Sequence, residues 1–395
     1  MGASRWCPWR SAVQLAFLLG PGLALPAGAA SPKPGARPPA PVATYAMEAL
    51  TSSGMGAMTM GGGDMMKMMM GGRPSFNATT RQLDLRLQSP GTAPSPSAEH
   101  RIPPGLAMGA ALPLKSTGFG PAEPPQWTQE AFPELKGRML IYRGCAESAG
   151  AGQPEVISLQ GLLPEQRRQA MQAMKQMASM PWAGGSSGTT GRWPDNEETR
   201  GVPPQASLVG NHLVASNYAP EILFQVDGGH DFLAPVSLTS TASGGAQRLN
   251  WQTVPTALGY QAMATGMGRQ EGDIVIWTSS EAPWGDSTVP GDLRAPEAAR
   301  LVQRNVLLAP ERTSCTVSTE AMAAMRTAMV TFTAYGDTLM LSSPQGAPAW
   351  RLSLERRSTA TRPLGEGMEM FDPGPGDEKE EPAEKGGGFN LFRLF

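Results

Sequence analysis

VSLTS at 236–240 opens a series of strand-like stretches, which continues with RLNWQTV at 248–254, GYQAMAT at 259–265 and DIVIWTS at 273–279. Turns that contain glycine or proline separate them, and short strands at this spacing are typical of a β-sandwich. A helix is expected at 296–308, and further strands are expected at 330–334, 338–342 and 350–355. The sequence therefore predicts a mainly β fold whose second β-rich domain, residues 234–362, is a sandwich with an inserted helix.

The region before this domain has a mixed pattern. Alternating or β-branched stretches predict strands at 81–88, 138–145, 155–159, 212–216 and 221–226. A helix is predicted at 163–179, where Met171, Met174 and Met177 recur at helical spacing. Residues 182–205 are rich in Gly, Ser and Pro and indicate a long loop. Residues 81–233 are therefore predicted to form a β-rich α+β domain.

The two ends of the chain have compositions that do not favour a folded core. Residues 31–41 are rich in Pro and Ala, and residues 54–72 are rich in Gly and Met. Both stretches lack the branched apolar and aromatic residues of a core, so we expect residues 30–80 to form a disordered arm. Residues 363–395 are expected to form a disordered tail, charged at 377–384 and apolar at Phe389–Phe395. This apolar end follows three glycines and is expected to dock on a partner or a membrane surface, or to fray.

Residues 1–29 have the three-part pattern of a secretory signal peptide. Arg5 and Arg10 precede an apolar run at 12–25, and Ala27 and Ala29 provide the small residues of a cleavage site. The run is too short for an ordinary membrane span, and no later stretch is long and apolar enough for one. We therefore expect an exported protein with no transmembrane span in its mature chain; the alternative is that residues 1–29 are retained as an N-terminal anchor.

Residues 235–280 carry a family resemblance. PVSLT at 235–239, Trp251 and the Ala257-x-Gly259-Tyr260 run resemble a fibronectin type III or immunoglobulin-like module. In such a module the Trp is buried on the second strand, and we expect Tyr260 to face Trp251 across the sandwich. The helix at 296–308 departs from the module. The resemblance implies a scaffold or a binding surface and no catalytic residues.

A second resemblance covers the whole chain. The Met/Gly-rich stretch, LIYRGC at 140–145 with GQP at 152–154, and IVIWTSS at 274–280 after Gly259-Tyr260 resemble a group of exported proteobacterial proteins of unknown function. This resemblance implies the periplasm or the cell surface of a Gram-negative bacterium. It implies no activity.

The net charge and the histidine and cysteine content bear on which ligands and which cellular compartment are expected. A net charge of −2 argues against nucleic-acid binding, which needs a basic surface. The three histidines, His100, His212 and His230, lie far apart in sequence. Apart from Cys7 in the signal peptide, the chain has Cys145 and Cys315, which in an exported protein are expected to form a disulfide or, alternatively, to be two buried thiols.

A cluster of methionines is the most specific candidate for a metal-binding site. Thioethers are soft ligands that select Cu(I), and several on one segment provide the three or four that this ion needs. The alternative is a Gly/Met spacer or an adhesive segment. The candidate metal ligands are Met55, Met58, Met60, Met65, Met66, Met68, Met69 and Met70, and Met47 lies just before them.

Two weaker patterns suggest catalysis. Asp195, Glu197, Glu198 and Glu221 lie in or near the loop at 182–205, where paired carboxylates and flanking Trp182 and Trp193 are features of a carbohydrate-active hydrolase. His230-Asp231 is an adjacent imidazole and acid, although a turn-capping Asp beside a surface His is the simpler interpretation. Because no marked nucleophile motif accompanies them, we assign no catalytic residue.

The sequence as a whole favours binding over catalysis. It predicts an exported cell-envelope protein that binds or scaffolds an unknown envelope protein or glycan. Cu(I) binding through the methionine cluster and hydrolysis near residues 182–230 are the alternatives.

Overall fold

A computed structural model describes residues 43–57, 79–119, 137–158, 187–195 and 201–365, which all belong to one compact unit. The described residues are mainly β, as the sequence predicts. Their strands in the first half are β1 (Ala43–Gly54), β2 (Thr80–Ser89), β3 (Ala98–Arg101), β4 (Ala111–Phe119), β5 (Arg138–Arg143), β6 (Glu155–Ser158), β7 (Gly188–Trp193), β8 (Gly210–Ser216) and β9 (Ile222–Val226). Those in the second half are β10 (Leu238–Ser243), β11 (Ala246–Trp251), β12 (Ala257–Gly268), β13 (Ile274–Thr278), β14 (Ser314–Val317), β15 (Met325–Gly336), β16 (Leu339–Ser342) and β17 (Trp350–Leu364).

One large sheet runs through both halves of the described chain. Its 14 strands follow the order β6-β5-β13-β12-β15-β17-β1-β2-β7-β4-β3-β8-β9, with β16 paired to β17. The long strand β17 joins the halves because it pairs with β1 in parallel and with β15 antiparallel. The remaining strands form a three-stranded sheet in the order β10-β11-β14.

The part of the large sheet that runs from β1 to β9 in the strand order curls around its own core. β1 and β9 are six positions apart in the strand order, which in a flat sheet would separate them by about 30 Å. The rings of Tyr45 on β1 and Phe224 on β9 nevertheless lie 6.4 Å apart. The sheet must therefore bend back on itself, and its concave face buries Tyr45, Met47, Leu85, Leu87, Leu112, Val214, Ile222 and Phe224.

The second half is a sandwich. One core contains buried side chains from both sheets, with Leu249 and Val317 from the three-stranded sheet and Val275 from the large one. The expected contact between Trp251 and Tyr260 is present, with ring centroids 5.8 Å apart in an edge-on arrangement. The three-stranded sheet therefore packs face to face on β12, β13 and β15.

A disulfide joins the two sheets of the sandwich. Cys145 follows β5, Cys315 lies in β14, and the structure links them with a Cα–Cα distance of 4.8 Å. The turn that carries Cys145 is held in place, because the indole Nε1 of Trp277 donates a hydrogen bond to the Gly144 carbonyl at 3.0 Å. β5 comes from the first half of the sequence, so this link ties an early strand to a late one.

In the part of the chain that the structure describes, two α-helices accompany the sandwich: α1 (Ala295–Gln303) and α2 (Thr319–Ala324). The predicted helix at 296–308 is thus shorter than expected. Asn305 has a φ of 53°, which breaks the helix, and Leu308 then exchanges backbone hydrogen bonds with Tyr260 on β12. Among the described residues, no helix has the length and hydropathy that crossing a bilayer requires.

The largest correction to the sequence analysis concerns β1. Residues 30–80 were expected to be disordered, yet 43–54 form a strand between β17 and β2, near the middle of the large sheet. The average composition of the arm hides a period-2 pattern in which Ala43, Tyr45, Met47 and Ala49 are all buried. β7 likewise lies in the stretch at 182–205 that was expected to be a loop, and β17 extends to Leu364, past the predicted start of the tail at 363.

Several predicted segments lie outside the described residues. They are the signal peptide at 1–29, the helix at 163–179 and nearly all of the tail at 363–395.

The first core gives way to the second near residue 233. Phe232 belongs to the first core and Leu233 to the second. The boundary does not separate the strands cleanly, since Tyr142 on β5 also packs in the second core. Arg356 on β17 lies at the junction, where it is only 2% exposed and donates hydrogen bonds to the Asp231 and Asp337 carbonyls.

Candidate functional site

The outer face of β12, β13 and β15 exposes several large apolar side chains among its threonines, where an antiparallel sheet usually presents polar side chains to water. Met267 is 62% exposed, Met263 is 40% exposed and Ile274 is 38% exposed. The register places Met267 opposite Ile274 and Thr265 opposite Met329, so these side chains share one face. We refer to Met263, Thr265, Met267, Ile274 and Met329 as the methionine face.

The local sequence explains how this face arises. Along β12 the side chains alternate, and Ala262 and Ala264 are fully buried while Met263, Thr265 and Met267 point outward. Small residues thus face the core, and large flexible ones face water. The sequence does show that Met263, Thr265 and Met267 alternate with small residues, but this pattern separates the two sides of the strand without showing which side faces water.

A groove follows the methionine face toward the end of the described chain. Its first part has a volume of about 340 Å³ and is lined by Met267, Ile274, Thr327 and Met329, among others. A second part of about 500 Å³ shares Thr327 and Ala328 with the first. The exposed side chains of Arg269 and Arg326 and the end of β17 line this second part. One border of the apolar face is therefore positively charged.

A smaller pocket adjoins the other end of the face at Met263. Its volume is about 390 Å³, and Trp284 and Tyr335 contribute aromatic rings to its lining. The Tyr335 hydroxyl donates to Gln261 Oε1 at 3.4 Å, and burial raises the pKa of Tyr335. The phenol therefore stays protonated at neutral pH, and this end of the face combines aromatic surface with polar groups.

Two of the three histidines, although distant in sequence, meet in the first core. His212 Nε2 lies 2.7 Å from the Leu208 carbonyl, so it carries the proton and donates it. His212 Nδ1 must then accept from His100 Nε2 at 2.9 Å, and His100 Nδ1 must accept from the Tyr45 hydroxyl at 2.9 Å. All four ring nitrogens of His100 and His212 therefore have a hydrogen-bonding partner when both imidazoles are neutral.

Burial keeps these histidines neutral. It lowers the pKa of His100 to about 3, with the neighbouring His212 adding to the effect. Burial also lowers the pKa of His212. A fully satisfied buried chain of this kind makes the packing of the first core specific. It acts on stability and pH response rather than on a ligand.

The candidate copper ligands fall mainly outside the described residues. Met55 is half-buried in a short 3-10 turn at Met55–Ala57, and the ligands from Met58 to Met70 lie beyond it. Met47 is fully buried in the first core. Ser52 on β1 pairs with Thr80 on β2, so the segment between these strands starts and ends at neighbouring points of the sheet. In the part of the chain that the structure describes, no three His, Cys, Asp or Glu side chains are grouped as a metal site.

The adjacent His230 and Asp231 do not act together. His230 Nδ1 pairs with Asp227 Oδ1 at 2.8 Å. Asp231 instead accepts hydrogen bonds from Ser207 Oγ at 2.6 Å and from the Leu208 amide at 2.7 Å. Asp231 therefore holds the 207–208 segment, and the carboxylate that caps the turn at 228–230 is Asp227, which accepts a hydrogen bond from the Gly229 amide.

The acidic residues of the hydrolase hypothesis are only partly described. Asp195 lies 3.8 Å from the Lys115 ammonium, and Glu221 is exposed just before β9. Trp193 is buried in β7 and is not available to stack on a sugar. Glu197, Glu198 and Trp182 lie outside the described residues, so hydrolysis stays a prediction.

No family model matches the sequence, and no curated protein is significantly similar to it.

Proposed function

We propose that this chain is an exported binding or scaffolding protein that holds an apolar segment of a partner protein on the methionine face. The observation that carries the proposal is the exposure of Met267 beside Ile274 on the adjacent strand, with Met263 exposed on the same face. Contiguous exposed apolar patches mark interaction sites, and methionine adapts its shape to different apolar partners.

The arrangement of strands supports a scaffolding role. Within the sandwich, the first, second and fifth strands (β10, β11 and β14) form one sheet, and the others belong to the large sheet. This division is similar to that of immunoglobulin-type sandwiches, and Trp251 is buried at the end of the second strand. Both features support the proposed likeness to a fibronectin type III module, which serves as a scaffold or a binding surface.

Two features support export. Residues 1–29 have the pattern of a signal peptide. The disulfide between Cys145 and Cys315 suits an oxidising compartment such as the periplasm or the cell surface.

The proposal is tested by selecting displayed random peptides on the full chain. We expect peptides rich in aromatic and aliphatic residues, and we expect Met267→Ser with Ile274→Ser to weaken their binding about tenfold or more, because the lost apolar contacts are worth over about 1 kcal/mol. Calorimetry with the selected peptides measures this change.

Leu223→Ser is the matched control. Leu223 is 69% exposed on β9, in the curled half of the sheet, so its loss removes similar apolar surface at another place. The proposal would be contradicted if Leu223→Ser weakened peptide binding as much as the methionine-face variant does. It would also be contradicted if the methionine-face variant bound the peptides as tightly as the wild type.

Cu(I) binding is the second candidate. It is favoured by the pairing of Ser52 with Thr80, because the segment that carries the methionines starts and ends at neighbouring points of the sheet. Because β1 extends to Gly54, the deletion that tests it removes residues 58–72 and spares the strand. Under this hypothesis the intact chain competes with a Cu(I) chelator and the shortened chain does not. Equal competition by both chains would reduce the segment to a spacer.

A further inference from the structure

The described chain ends at the border of the methionine face. Leu364 on β17 lies opposite Ala328 on β15, and Ala328 lines the same groove as Met267 and Ile274. Leu364 and Gly365 themselves line the adjoining groove with Arg269 and Arg326. Whatever follows Gly365 therefore leaves the fold beside an exposed apolar surface.

The sequence that follows is suited to this surface. Residues 366–395 lie outside the described residues, so only their composition bears on this point. Five of the seven residues in Phe389–Phe395 are Phe or Leu. Residues 366–388 contain eight acidic residues and two lysines. The segment thus has an acidic connection and an apolar end, which complement the charged border and the apolar face respectively.

The connection is long enough to reach. It spans residues 366–388, and a flexible chain of this length has a typical end-to-end distance of about 26 Å. β13 and β15 are both neighbours of β12, so the centre of the face spans only about 10 Å across the strands. Tethering at this range corresponds to an effective concentration on the order of millimolar, which lets a weak contact persist.

We propose that Phe389–Phe395 of the same chain docks on the methionine face and covers it until a partner displaces it. This inference deepens the proposed binding function and rests on it. The aromatic rings pack against the sulfurs of Met263, Met267 and Met329, a favourable contact for both groups. Arg269 and Arg326 guide the acidic connection along the groove.

The test compares the full chain with a full-length variant that carries Phe389→Ser, Phe392→Ser and Phe395→Ser, both labelled with ¹³C-methyl methionine. We expect the methyl resonances of Met263, Met267 and Met329 to shift in the variant, because nearby aromatic rings are lost. Met47, buried in the first core, is the internal control and should not shift. Asn390→Ser is the matched variant in the same segment.

A peptide of residues 386–395 provides the second measurement. We expect it to bind the triple variant about tenfold more tightly than the wild type, whose own segment competes at millimolar effective concentration. Unchanged methionine resonances with equal peptide affinities would overturn the inference. Resonance shifts that grow with protein concentration would overturn it as well, because a second copy would then supply the segment.

These results are separable from a failure of the proposed function. Peptide that binds both proteins equally, and is lost on Met267→Ser with Ile274→Ser, would leave the methionine face as a binding surface and reject its covering by the chain's own end. Failure of the displayed-peptide selection on the triple variant would instead reject the binding function itself.

Discussion

Replacing Cys145 and Cys315 together by alanine is expected to lower the free energy of unfolding by about 3 to 5 kcal/mol. The disulfide spans 170 residues, and the chain-entropy model assigns about 5 kcal/mol to a loop of that length. Residual structure in the unfolded chain reduces this value. The effect is large because the bond connects β5, an early strand, with β14, so losing it frees the unfolded chain over almost half its length.

Urea unfolding under non-reducing conditions measures this change. The wild type with dithiothreitol is the control, because it keeps both side chains and removes only the covalent link. We expect the reduced wild type and the double variant to have similar midpoints. A double variant as stable as the oxidised wild type would contradict the expected role of the disulfide.

Lowering the pH from 7 to 5 is expected to cost about 2 kcal/mol of stability through His100 alone. Its pKa is about 3 in the folded protein, against about 6.5 in an unfolded chain. Because the unfolded state binds the proton first, this stability is fully present above pH 6.5 and is lost as the pH falls toward 3. The lowered pKa of His212 acts in the same direction.

His100→Gln separates this effect from other acid-induced changes. The amide can accept from Tyr45 and donate to His212, but it does not titrate in this range. We expect the variant to be less stable at pH 7 and to lose about 2 kcal/mol less than the wild type between pH 7 and pH 5. Parallel pH profiles for wild type and His100→Gln would refute the buried-histidine explanation.

The strands of the sandwich could be predicted because each has a pattern of its own. The stretches around Leu249, Tyr260 and Val275 are bounded by turn residues, and all three form strands close to their expected limits. The helix beginning near Pro296 was also found, although its end was not. That end depends on Leu308 pairing with Tyr260, a contact between segments distant in sequence that no local pattern contains.

The candidate site could not be predicted, because exposure is not a local property. A strand pattern shows that Met263 and Ala264 point to opposite sides. It does not show which side another sheet will cover. Only the packing of β10, β11 and β14 on the alanine side leaves Met263 and Met267 facing water.

The sequence by itself determined the β class, the order of most strands and the pair of cysteines available for a disulfide. The tertiary structure alone decided that β1 lies near the middle of the sheet, that His100 and His212 share a hydrogen bond, and that Met47 is buried while Met267 is exposed. Both methionines occupy alternating positions in strands. Met47 is buried because the sheet curls around it, and Met267 is exposed because no other sheet covers the outer face of β12. Both arrangements depend on contacts between segments far apart in the chain.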